Sequence, residues 1–194
     1  LTLGETVLDA APGPVPAALL AQVVARLRAA KTSLAWTRAR ADVGPSDRMD
    51  RLRVLLAAGE AEQARSLILE SPAAEICAMV SALRPLEEAG DWARSATLAA
   101  AMRGAAPDCA AAWATWLFAA VRTVPPAEAL PVAREAARRF GINPLVLEAV
   151  AAVMTAAGQH GEARDVLYAA ARLNPTDGGR LRQLSAAVLA HIGG

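Results

Sequence analysis

The chain has 194 residues, 55% of them hydrophobic and 20% charged, with a formal net charge of +1. That balance excludes the surplus of basic residues through which a nucleic-acid binder neutralises phosphates. Aromatics at 4% and abundant Ala favour helices with small, closely approaching faces over sheets.

Residues 1–16 carry Gly4, Pro12, Gly13, Pro14 and Pro16 and read as an irregular lead-in. Over 17–42 the apolar positions Leu20, Val23, Val24, Leu27 and Leu34 fall at three- and four-residue steps, with Arg26, Arg28 and Lys31 on the other face; this predicts one amphipathic helix that caps the fold. After Gly44-Pro45, Ser46 or Asp47 caps a helix bearing Met49, Leu52, Leu55 and Leu56. Gly59 ends it, and a second helix turns Ala64, Leu67 and Ile68 inward before stopping at Ser71-Pro72. A helix over 74–89 follows, in which Pro85 should force a kink or cost a backbone bond. Its partner runs from Trp92 to Arg103 and closes at Pro107. A third pair spans 108–122 and 127–140, joined by Val124-Pro125-Pro126; Pro126 suits a first turn, where a missing N–H is no loss. A fourth spans 144–157 and 161–173, and Pro175 ends it. Residues 176–194, with Leu181, Leu184, Val188 and Leu189, form a last helix, either a cap or the first half of a fifth unit.

The pairs are in phase. Gly90, Val124, Gly158 and Ile192 recur every 34 residues, a length typical of a helix-turn-helix repeat. Five residues past the turn stand Ser95, Ala129 and Ala163; nine past, Ala99, Ala133 and Leu167; twelve past, Met102, Ala136 and Ala170. Pro107, Gly141 and Pro175 close the units. Before the turn, the columns Met79, Trp113, Leu147 and Ala82, Trp116, Val150 agree as well.

On these residues the chain resembles the tetratricopeptide repeat (TPR) family: Trp113 in the early aromatic place, Gly90 and Gly158 at the turn, Ser95, Ala129 and Ala163 at the helix crossing, Pro107 and Pro175 at the unit ends. The resemblance implies an all-α fold, a right-handed α-solenoid of stacked antiparallel helix pairs over 45–72, 73–107, 108–141 and 142–175, with capping helices at both ends. The unit at 45–72 departs from the pattern, with Arg48 and Arg51 where apolar residues belong and a second helix about one turn short. Physics points the same way, since one helix pair cannot bury both its faces and neighbours must stack.

Chemistry is hard to find in the sequence. His160 and His191 have no Cys, Asp or Glu at metal-ligand spacing and read as ordinary polar residues. Cys77 and Cys109 make neither a disulfide framework nor a metal site, and each reads as a reduced, buried thiol in an Ala-rich helix. No phosphate loop or nucleophile elbow is present. Trp113 and Trp116, three apart on a helix, fit a core better than a ligand platform. No catalytic residue, metal or cofactor is expected.

What the resemblance implies instead is a concave groove, lined by first helices, that holds a partner peptide or helix. By register the groove takes Met49, Arg53, Cys77, Val80, Arg84, Ala114, Phe118, Glu148, Ala152 and Thr155. The apolar ones fit a place between units equally well. Arg53 and Arg84 would favour a segment of some acidic character. The Lys- and Asn-rich carboxylate clamp of some relatives is missing, which disfavours binding of C-terminal tails. The leading expectation is thus a non-enzymatic protein-binding scaffold; the alternative is the recruiting segment of a larger bacterial enzyme, such as a glycosyltransferase. Leu189 and Ile192 offer a route to self-association through the end helices. The longest apolar run, 109–121, is too short to span a bilayer, and no signal peptide is visible. A cytoplasmic place is the expectation, although a start at Leu1 leaves room for a leader removed earlier.

Overall fold

The structure, a computed structural model, describes residues 45–173. The lead-in at 1–16, the helix expected at 17–42 and the closing segment 176–194 lie outside the described residues, and with them His191, Leu189 and Ile192. The chain divides into two compact units, Leu1–Glu60 and Ala61–Gly194, a division that falls between the two helices of the first expected pair. Among the described residues all regular structure is helical.

The first unit contributes α1, Pro45–Ala58, with Asp47 in its first turn and Leu52, Leu55 and Leu56 buried. Gly59 ends it at φ 77°, a left-handed conformation that costs an L side chain but not glycine. The N–H of Gly59 donates to the Leu56 carbonyl and that of Glu60 to Leu55, at 3.1 and 2.9 Å. Two carbonyls that the helix would leave unpaired are thereby satisfied.

The second unit begins with α2, Ala61–Glu70, whose inward residues are Ala64, Leu67 and Ile68 as the periodicity predicts. The helix expected over 74–89 is then realised in three pieces: α3 at Ala73–Met79, a 3-10 turn at Val80–Leu83 and α4 at Arg84–Glu88. Pro85 is the reason. It has no N–H to donate and its ring crowds the preceding turn, so the chain tightens to 3-10 before it and restarts with Pro85 in the first turn of α4. The strand of helices continues unbroken after that: α5 at Trp92–Ala105, α6 at Ala110–Thr123, α7 at Pro126–Arg139, α8 at Pro144–Ala156 and α9 at His160–Leu173. Pro131 sits inside α7 without ending it, on the exposed face.

Caps explain the starts. Asp91 accepts the Arg94 N–H at 3.2 Å, and Asn143 accepts from Leu145 and Val146 at 3.1 and 3.2 Å. The turns at Gly90 and Gly158 repeat the pattern of Gly59: φ 75° at each, with Gly90 and Asp91 donating to Glu87 and Leu86, and Gly158 and Gln159 donating to Thr155 and Met154. Val124 cannot take that conformation cheaply. It stays extended at φ −126°, and Pro125-Pro126 leads directly into α7.

In this unit α6 packs against both α5 and α8, α8 against α7 and α9, and α3 with its 3-10 turn against α5 and α6. The first helices of successive pairs therefore form one continuous layer. One core cluster runs through Leu117, Ala133, Val146, Val150, Val153 and Leu167, all buried. The second unit is a TPR-like helical solenoid of stacked helix pairs, as the family resemblance implies.

Candidate partner-binding surface

The expected groove residues fall in both compact units, and each unit presents its own. On α1, Met49 is half-buried and Arg53 exposed; the Arg53 guanidinium donates to Asp50 at 3.0 Å on its own helix. In the second unit, Phe118, Glu148, Ala152 and Thr155 are half-buried on α6 and α8, and the Thr155 hydroxyl donates to the Ala151 carbonyl at 2.8 Å. Arg84 is exposed, and its Nε donates to Glu88 at 2.9 Å. Ala114 has 0% exposure and Val80 is also buried, so neither side chain lines an open surface. Phe118 packs against the core cluster with part of its ring and offers the rest.

Both arginines thus face carboxylates one helical turn away, which removes the reason to expect an acidic partner. Exposed pairs of this kind contribute little to stability, about 0.3–0.5 kcal/mol, but they do cancel a surface charge.

Cys77 and Cys109 correct the reading as reduced, buried thiols. They are joined in a disulfide between α3 and the residue preceding α6, their Cα atoms 5.6 Å apart. Cys77 is exposed, and only Cys109 is buried, at 3%. The sequence carried a signal for this: the 32-residue separation lies close to the repeat length, which brings nearly equivalent positions of stacked first helices side by side.

Two arginine–tryptophan stacks were not legible in the sequence. The Arg103 guanidinium lies 4.8 Å from the Trp113 ring centre and 4.4 Å from that of Trp116. Arg122 lies over Trp92 at 4.1 Å. Burial pulls the Arg103 guanidinium below its ordinary value, against the opposing charge of Glu135. Its Nη1 is buried without a hydrogen-bond partner, and the two ring faces supply the attraction in its place. Trp113 is held further by Nε1 donating to the Pro107 carbonyl at 2.8 Å and by Phe140 at 5.8 Å, so it belongs to the core. Beside the second stack, burial pushes the Glu87 carboxyl above the usual range, while the Ser95 hydroxyl, which donates to it at 3.3 Å, then Arg122 and Arg84, work in the opposite direction.

The second helices carry another feature the sequence did not reveal, an open cleft of about 430 Å³ between α2 and α5, with Glu62, Arg65 and exposed Leu69 facing Thr97, Ala101 and Gly104. His160 is half-buried at the start of α9. Among the described residues no group of three or more His, Cys, Asp or Glu is placed to hold a metal, and no helix is long and apolar enough to cross a membrane.

No family model matches the chain, and no curated protein matches it. A solved structure titled MamA AMB-1 is similar to it, with 20% sequence identity and a TM-score of 0.51 over 75% of this chain and 88% of that one. At that identity the likeness speaks for the fold, a TPR-like helical repeat.

Proposed function

We propose that the chain is a non-enzymatic protein-interaction scaffold whose first-helix layer holds a peptide or helix of a partner. The observation that supports this most is the continuity of that layer: α3 with its 3-10 turn, α6 and α8 pack side by side and leave Phe118, Glu148, Ala152 and Thr155 partly open along it. Such a surface suits an extended or helical segment that buries a few apolar side chains, with specificity from scattered polar groups. With Arg53 and Arg84 neutralised locally, the partner is read as an apolar segment rather than an acidic one. The likeness in fold does not favour the alternative, a recruiting segment of a larger enzyme.

The test compares two faces. A partner captured with the intact chain is titrated against Ala152→Glu/Thr155→Glu on the first helices and Ala101→Glu/Gly104→Glu on the cleft of the second helices. The proposal expects at least a tenfold loss of affinity from the first pair of changes and little from the second. Unchanged binding with Ala152→Glu/Thr155→Glu in a variant of native helicity sinks it.

A further inference from the structure

The two sulfurs of the disulfide are unlike. Cys77 stands on the exposed side of α3, whereas Cys109 is 3% exposed and occupies the position just before the 14-residue helix α6. We propose that Cys77–Cys109 is an exchange-active disulfide, a thiolation site in which small thiols enter at Cys77 and Cys109 acts as the leaving and resolving thiol.

Three observations carry this. An attacking thiolate must approach along the S–S axis, and only the Cys77 sulfur belongs to an exposed residue. The sulfur expelled is then Cys109, at the N-cap of α6, where its side chain takes no cap hydrogen bond in the disulfide form and the helix dipole favours the thiolate once released. Burial in apolar surroundings works against that thiolate, and the helix dipole opposes this cost. Finally, the Cα atoms stand 5.6 Å apart, within the ordinary range for a disulfide, so the expelled thiol stays where it can re-form the bond without backbone movement.

The step balances with a small thiol such as glutathione. Its thiolate attacks the Cys77 sulfur; the new S–S bond forms as the Cys77–Cys109 bond breaks, and the electron pair leaves on Cys109. If Cys109 attacks back, the small thiolate is expelled and the protein is restored. If a second small thiolate attacks the sulfur of the first, a small-molecule disulfide departs and both cysteines are reduced, the two electrons coming from the two thiols. While the mixed disulfide stands, and after full reduction, the covalent tie between the second and third helix pairs is open at the layer of first helices.

The experiment treats the full chain, purified without reductant, with excess reduced glutathione, quenches with acid, alkylates and maps the peptides by mass spectrometry. Before treatment no thiol should titrate. During it, the glutathione adduct should sit on the Cys77 peptide at least tenfold over the Cys109 peptide. Treated with oxidised glutathione, Cys109→Ala should keep one glutathionyl group on Cys77 as a stable mixed disulfide and release one reduced glutathione, and folded Cys77→Ala should take none until denaturant is added. An adduct mainly on Cys109 overturns the proposal. So does a bond that opens only at denaturant concentrations that unfold the helices, or two free thiols that oxidised glutathione fails to join. Wild-type mapping alone decides the case if a variant does not fold.

Discussion

The second and fourth helix pairs share one 34-residue frame and solve it differently. In the fourth, α8 is a continuous helix that packs on α9 within one aliphatic cluster, which holds Val146, Leu147, Val150, Val153 and Met154 together with Ala163, Leu167 and Ala170. In the second, the first helix is split by a 3-10 turn ahead of Pro85, tied to its neighbour through Cys77, and meets α5 partly through a polar contact between Glu87 and Ser95. Yet Ser95 and Ala163, which occupy the same column, are both fully buried. The repeat phase decides which positions go inside; covalent and steric detail decides what form the helix takes to get there.

The largest difference to break is the covalent one. Replacing both cysteines by Ser frees a loop of 32 residues, which the chain-entropy relation values at about 3–4 kcal/mol. Urea titration should show that loss, and hydrogen exchange should place it at α3–α6 rather than α8–α9. Equal loosening of both pairs would mean that the second depends on its staple no more than the fourth does.

Overpacking comes next. Ala163→Leu pushes three extra carbons into a site with no exposure, at a cost of roughly 1–3 kcal/mol. Ser95→Leu at the equivalent site should cost more, since it also strips Glu87 of its hydroxyl donor. Thermal midpoints of the two variants measure the contrast.

The turns should not distinguish the pairs at all. Gly90 and Gly158 share φ 75°, and a Cβ added at either meets nothing within 4 Å. Gly→Ala at each therefore costs only the conformational penalty, about 1 kcal/mol, and by equal amounts. Unequal denaturation midpoints would show that one turn is held by something other than backbone geometry.

The columns legible in the sequence were legible for a physical reason. Ser95, Ala129 and Ala163, then Ala99, Ala133 and Leu167, then Met102, Ala136 and Ala170 are all buried, because stacking identical units repeats the same burial at the same phase. Trp116 leaves its column by remaining half-buried, with Arg103 across its face. What depends on how neighbouring units lie against each other was not legible: the arginine–tryptophan stacks, and whether Ala114 or Phe118 stays open, whereas the Cys77–Cys109 bond left only the hint of a separation close to the repeat length. These distances are set between helices, and a single-helix period carries no information about them.

The smallest effect lies in the polar contact that sets the second pair apart. Glu87 titrates among Arg84 and Glu88 on its own helix, Ser95 of α5 and Arg122 of α6, and burial is the strongest influence, raising its folded-state value above that of the unfolded chain. A carboxyl raised on folding is favoured in its protonated form. Its contribution is fully present below the unfolded value and is lost as pH rises through the folded one. Glu87→Gln keeps the shape and removes the titration. The wild type should therefore lose stability relative to Glu87→Gln as pH climbs through and just above the usual carboxylate range, by a fraction of a kcal/mol because the group is only half-buried. Midpoints at a series of pH values would read this directly. A wild type that instead gains on the variant over that window would mean that Arg122 and Arg84 outweigh burial, and the second pair would then be held by an ion network rather than burdened by a buried acid.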